Sequence, residues 1–211
     1  MFITFEGGEG AGKTIQARAS AEYLRSFGRE VTETREPGAT PAGARIRAIL
    51  LDPGATDLDF RAELLLYMAD RAQHIHAVIR PALDAGRIVL CDRYLDATLA
   101  YQGYARGLDI DLIRDLHRRV LDDLSPDRTI LLDLPPETGL ARAWSAVADG
   151  VRDRSETRFE AEAVAFHRRV REGYLDLARR SPDRFRVIDA RPDETRVRQA
   201  VRRALDEILN P

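Results

Sequence analysis

The stretch from Phe2 to Thr14, Phe-Ile-Thr-Phe-Glu-Gly-Gly-Glu-Gly-Ala-Gly-Lys-Thr, constrains the fold of this chain more than any other. Gly7, Gly12, Lys13 and Thr14 fit the pattern G-x-x-x-x-G-K-[ST]. An apolar strand (Phe2, Ile3, Phe5) runs into it, and a helix-like segment rich in Ala, Gln, Leu and Arg leaves it. That strand-loop-helix context is what a phosphate-binding loop requires. Glycines at 7, 8, 10 and 12 let consecutive backbone N–H groups turn around a phosphate, and the following helix points its positive end inward. Lys13 adds a compact charge for the β- and γ-phosphates, and the Thr14 hydroxyl can bind magnesium. Lys13 is also the only lysine among 33 basic side chains. Every other basic position is a guanidinium, which differs in shape and reach.

Alternating strand and helix patterns continue to the end of the chain. Helix is expected over 13–27, 45–51, 58–85 with a bend at Pro81, 95–104, 110–124, 136–147, 159–180 and 194–209. Strands are expected over 30–34, 87–91, 129–134 and 185–189. Such alternation predicts an α/β fold, a parallel sheet covered by helices on both faces. Ligands in such sheets bind beyond the strand C-termini. Glu6, Thr34-Arg35-Glu36, Cys91-Asp92-Arg93-Tyr94, Asp133 and Asp189 are expected to gather on that rim.

With 211 residues and 44% hydrophobic content the chain can bury a full core, so residues 1–211 are expected to form one domain. The single cysteine, Cys91, excludes an internal disulfide framework and fits core packing in an apolar strand. A formal charge of −2 argues against a broad nucleic-acid surface. No apolar run reaches the ~20 residues that span a bilayer, and the opening segment lacks the features of a signal peptide. The expectation is a soluble, cytoplasmic protein without nucleic-acid or membrane partners. His74 and His76, two apart on a helix, point in different directions and make a poor metal pair.

A phosphate-binding loop does not by itself name a reaction. A switch GTPase carries an Asn-Lys-x-Asp motif that is absent here, since the only asparagine is Asn210 and the only lysine is Lys13. Arg93, directly after an acidic strand end, suggests a second anionic substrate in line with the first. That favours a kinase over a hydrolase.

The loop Gly-Gly-Glu-Gly-Ala-Gly-Lys-Thr, the segments TREPGAT at 34–40, ELLLYMADRAQH at 63–74 and DRYLDATLAYQG at 92–103, and VIDA at 187–190 together resemble the bacterial thymidylate kinase family over nearly the whole chain. The resemblance implies a five-stranded P-loop NTPase-type core with a short lid near 147–157, a homodimer, Mg2+, and transfer of the ATP γ-phosphoryl group to dTMP. It implies an ATP site of Gly7, Gly8, Glu9, Gly10, Ala11, Gly12, Lys13 and Thr14, with Arg142 along the adenine. It implies a dTMP site in which Arg35, Arg47 and Arg93 hold the phosphate and Pro37 belongs to the binding loop. By the same resemblance Tyr67 falls where a stacking phenylalanine is usual, Arg71, Thr98 and Gln102 would read the base, and Tyr101 would crowd the sugar. The resemblance further implies that Glu9 helps place the sugar or the magnesium water shell, that Thr14 and Asp92 serve the metal, and that Arg152 or Arg154 reaches the phosphates from the lid. The chain departs from the family at Ala39, Ala97 and Thr157, where glycine, serine and aspartate are usual. A methyl at position 39 is harmless unless φ is positive there.

Overall fold

The computed structural model describes residues 1–121, 123–151 and 153–209. Five strands form one parallel sheet in the order β2-β3-β1-β4-β5: β1 Phe2–Glu6, β2 Val31–Arg35, β3 Ile88–Asp92, β4 Arg128–Asp133 and β5 Phe185–Asp189. β1 is central and buried throughout, its polar Thr4 and Glu6 included. Its side chains still alternate between two cores. Phe2, Val89, Cys91 and Leu131 face one layer, and Ile3, Phe5, Leu90, Ile130 and Leu132 face the other.

The second layer is α1 (Lys13–Ser26) and α9 (Glu194–Leu209). The first holds α2 (Pro41–Leu51), α3 (Phe60–His74), α4 (Arg80–Asp84), α5 (Leu95–Thr98), α6 (Ile110–Val120) and α8 (Val164–Arg180). Helix α7 (Pro136–Ala148) follows β4 and leads to a 3-10 turn at Arg154–Glu156. Local chemistry sets several starts. Thr40 caps α2 by accepting from the Gly43 N–H at 2.9 Å with Pro41 behind it, and Asp59 and Asp109 cap α3 and α6.

The strands lie within one residue of expectation, but several helices differ. The Thr40 cap starts α2 at Pro41, ahead of the apolar periodicity that begins at Arg45. The long helix expected over 58–85 widens into a π turn at Ile75–Ile79 between α3 and α4. Pro81 has no N–H for the ladder and its ring crowds the preceding turn, which the wider turn relieves. A second π turn, Leu99–Ala105, replaces the end of the helix expected over 95–104. Helix α6 stops at Val120, not Leu124, because the Leu124 carbonyl turns inward to the Tyr94 hydroxyl at 2.9 Å and His117 Nε2 at 3.0 Å. Helix α8 starts at Val164, not Phe159. Phe159 is buried edge-on against Tyr101, and its carbonyl meets His167 Nε2 at 2.9 Å.

Candidate active site

The strand C-termini bring the expected polar residues to one rim, where two cavities meet. The larger, about 1790 Å³, lies over the glycine loop and the start of α1. The smaller, about 540 Å³, lies between α2, α3 and the π turn after α5.

The loop leaves β1 and enters α1 through Gly12, which is left-handed at φ 88° and makes no side-chain cap. The first N–H groups of α1 are therefore left for a bound anion. Gly10, at φ 65°, packs on Gly139 of α7: a Cβ on Gly10 would stand 2.1 Å from the Gly139 carbonyl oxygen, and one on Gly139 would stand 2.2 Å from that of Glu9. Two absent side chains thus seat the loop on α7. Lys13 is only 7% exposed, and its Nζ donates to the Gly8 carbonyl at 2.7 Å. Burial, then the nearby Arg93 charge, lowers its pKa to about 8. The Thr14 hydroxyl donates to Asp92 Oδ2, while Asp92 Oδ1 is buried without a partner among the described residues.

Arg93 and Glu9 line both cavities. Arg93 is left-handed at φ 69°, unusual for a non-glycine residue, and this turns its side chain back across the loop. Its Nη2 donates to Glu9 Oε1 at 2.7 Å and its Nη1 to the Gly7 carbonyl at 3.2 Å, and the guanidinium lies 4.9 Å over the Tyr101 ring. The Tyr101 hydroxyl donates to the same Glu9 oxygen at 2.8 Å. Behind them Glu6 accepts from the Tyr94 N–H and the Tyr174 hydroxyl, both at 2.7 Å, and burial with nearby Asp96 raises its pKa to about 8.

In the smaller cavity Arg71 is 1% exposed. Its Nε donates to Glu36 Oε2 at 2.8 Å, its Nη2 donates to Thr98 Oγ1 at 2.9 Å, and its guanidinium lies 4.9 Å over the Tyr94 ring. Glu36 Oε1 pairs with His74 Nδ1 at 2.8 Å, and His74 Nε2 meets Thr34 Oγ1 at 2.6 Å. His74 is therefore buried in a side-chain relay, whereas His76 is exposed, as their spacing implies. The Gln102 amide donates to buried Glu63 at 2.7 Å. Arg47 clasps Glu156 of the 3-10 turn through two bonds, at 2.8 and 2.7 Å, and donates to the Pro37 carbonyl at 3.0 Å.

Of the residues expected around dTMP, all but Arg35 line the smaller cavity, Tyr67 and Pro37 included. Arg35, exposed at the end of β2, lines the larger one. Of those expected around ATP, Glu9 through Thr14 and Arg142 line the larger cavity. Gly7 and Gly8 contribute the carbonyls that hold Arg93 and Lys13. Arg142 donates to the Ala190 and Arg191 carbonyls at 3.0 and 3.2 Å. Arg154 is exposed and lines neither cavity, and Arg152 lies outside the described residues. Asp133, expected on the rim, is clasped by Arg171 at 2.6 and 2.9 Å. The described left-handed non-glycine residues are Arg93 and Asp123, so Ala39 adds no strain.

Sequence reasoning missed Gly139, Tyr174, Glu63 and Glu156, and it placed Glu36 on the rim without its buried pairing to Arg71 and His74. A glycine inside an expected helix was a visible signal for Gly139. The carboxylates gave none, because a buried partner of an arginine reads like any surface acid until the fold places it.

Such a site can hold a polyphosphate at the loop and a second polar ligand in the smaller cavity, with Arg93 between them. The family model described as "Thymidylate kinase" matches residues 5–201. A thymidylate kinase from Solidesulfovibrio magneticus is 51% identical over 209 residues, 99% of this chain and 100% of that one. Another from Desulfosudis oleivorans is 54% identical over 190 residues, 90% and 89% of the two chains. The crystal structure of a thymidylate kinase from Ehrlichia chaffeensis superposes with a TM-score of 0.76 at 36% identity, covering 98% of each chain.

Proposed function

The chain belongs to the thymidylate kinase family and is an ATP-dependent kinase that phosphorylates dTMP, and on that premise we propose that the larger cavity takes ATP and the smaller takes dTMP. The observation that carries this division is the shared lining: Arg93 and Glu9 belong to both cavities, so the transferring group has a cation beside it on either side of the step. Phosphoryl transfer asks mainly for alignment and charge neutralisation. In this reading one oxygen of the dTMP phosphate attacks the γ-phosphorus, the bond to the β-phosphate bridge oxygen breaks, and dTDP and ADP result. Lys13 follows the moving charge and Arg93 bridges donor and acceptor. The acceptor is already an anion, so no strong general base is needed; a phosphate monoester has a second pKa of about 6.

Arg35 stands on the ATP side in this arrangement and meets the acceptor phosphate only at the junction, with Arg47 and Arg93. Arg71, Thr98 and Gln102 read the base, Tyr67 and Pro37 wall it, Tyr101 crowds the sugar, and Arg142 flanks the adenine. Thr14 and Asp92 suit Mg2+: hydroxyl and carboxylate oxygens are hard donors, and the buried Asp92 Oδ1 lacks a partner among the described residues. Mg2+ held by these oxygens would supply neutralisation of the phosphate charge. The whole chain acts as one kinase domain whose segment at about 147–157 is a lid, with Arg152 and Arg154 serving the phosphates. Alanine at both positions should lower kcat, and an unchanged kcat would remove them from the mechanism.

We also propose a cytoplasmic homodimer. Leu65 on α3 and Leu112 and Val120 on α6 are exposed apolar side chains on helices that pack together, which suits a partner surface. Sedimentation giving a monomer at micromolar concentration would contradict it. Among the described residues no helix is long and apolar enough to cross a membrane. The substrate assignment is tested by coupled ADP release with dTMP, dUMP, dCMP, dGMP and dAMP. A marked preference for dTMP is expected, and equal rates across the panel would sink the assignment.

A further inference from the structure

We propose that Glu63 sets the base specificity of the acceptor pocket by fixing which end of the Gln102 amide faces the ligand. This rests on the assignment of the smaller cavity to the acceptor. Glu63 is fully buried on α3, one helical turn before Tyr67. Its Oε1 accepts from Gln102 Nε2 at 2.7 Å, and its Oε2 accepts from Arg158 Nη2 at 2.6 Å, with Arg106 farther away, its Nε 3.5 Å from Oε1 and its Nη2 3.4 Å from Oε2. A carboxylate held between two guanidinium groups only accepts hydrogen bonds. It therefore takes the NH2 end of the Gln102 amide and rejects the oxygen end.

With Nε2 committed to Glu63, the atom that Gln102 offers to a base is its Oε1, an acceptor. Gln102 lines the cavity beside Thr98 and Arg71. Arg71, whose Nε and one Nη2 proton are held by Glu36 and Thr98, keeps donor protons for a carbonyl oxygen. One acceptor next to one donor complements a pyrimidine with N3–H and O4, as in thymine or uracil. Cytosine presents the opposite pair, a bare N3 and an amino group. It would meet lone pair against lone pair at Gln102 and donor against donor at Arg71. A freely rotating glutamine could turn its amide over and accept cytosine at N3. A charged, buried acceptor behind it prevents that turn, so the discrimination works through repulsion as well as attraction.

The test compares kcat/KM for dTMP and 5-methyl-dCMP, which differ only around N3 and position 4 of the ring. Wild-type enzyme is expected to favour dTMP strongly. In Glu63→Gln the new amide presents either end to Gln102, and the dTMP to 5-methyl-dCMP ratio should fall on the order of tenfold or more, the scale of one charge-assisted hydrogen bond. Arg106→Gln loosens the same buried network but leaves the carboxylate against Gln102, and should keep the wild-type ratio. If Glu63→Gln does not fold, Glu63→Asp keeps the charge for Arg158 while withdrawing it from Gln102, and the ratio should again fall. An unchanged ratio in the folded Glu63 variants, or an equal fall in Arg106→Gln, overturns the proposal. A wild-type enzyme indifferent to the two bases would instead overturn the acceptor-site assignment beneath it.

Discussion

Replacing Lys13 with arginine keeps the charge and changes only its shape, so it isolates what the one lysine contributes. The ammonium sits in a space 7% open to solvent, 2.7 Å from the Gly8 carbonyl and close to Arg93. A planar fork with five N–H donors cannot take that position without pushing the loop or Arg93 aside. The substitution removes a hydrogen bond aimed at charge as it moves between phosphates, a class of interaction whose removal costs ~3–4 kcal/mol, or ~10²–10³ in kcat. Because some charge remains, the expected loss is at the lower end, about a hundredfold. The pH profile gives a second mark of the same residue. With its pKa at about 8 in the free protein, Lys13 loses its proton as pH rises, so kcat/KM for ATP should fall above about pH 8. That limb should vanish in Lys13→Arg, because a guanidinium stays protonated. Stability carries a third mark, with a definite sign. The folded value lies below the ordinary 10.5, so the unfolded chain binds more protons between the two values, and Lys13's contribution improves stability as pH climbs through that window. Lys13→Met should therefore raise Tm at neutral pH, with the gain fading towards about pH 10. The assays are steady-state ADP release across pH and thermal melting. A Lys13→Arg enzyme with near-native kcat, or one that keeps the alkaline limb, would refute the reasoning.

Further outcomes follow from the residues at the edges of the site. Glu156→Gln weakens the clasp on Arg47 and should lower the KM for dTMP by about twofold to fivefold, the worth of a partly exposed ion pair, with kcat little changed. A raised KM would mean that Glu156 helps binding instead of competing with it. Gly139→Ala puts a methyl 2.2 Å from the Glu9 carbonyl oxygen, so it should cost about 1–3 kcal/mol of stability and raise the KM for ATP more than that for dTMP. An equal rise in both constants would show that the damage is not confined to the loop.

The sheet and the phosphate loop were legible in the sequence because both are local patterns. Buried parallel strands write themselves as apolar runs, and the loop needs fixed residues at fixed spacing. What stayed hidden was non-local. The π turn at Leu99–Ala105 resembles ordinary helix, since the residues that place Tyr101 and Gln102 against Glu9 and Glu63 lie more than thirty positions away. Arg35 and Arg93 both stand at strand ends beside acidic residues, and the family resemblance put both on the dTMP phosphate. Only the left-handed backbone at Arg93 separates them, turning one guanidinium across the loop while the other stays exposed. Tyr174 was hidden in α8, a helix rich in arginine. Its inner side reaches Glu6 across 168 residues of chain.

The division of the site into two cavities is tested most directly by measuring the Kd of each substrate alone, by calorimetry, in Arg71→Met and Arg142→Ala. Arg71 lines only the smaller cavity and Arg142 only the larger. Removing the Arg71 hydrogen bonds should weaken dTMP binding about tenfold to a hundredfold and leave ATP binding unchanged. Arg142→Ala should do the reverse, weakening ATP alone. If Arg71→Met weakens ATP as much as dTMP, or Arg142→Ala weakens dTMP, the two cavities are not the two substrate sites.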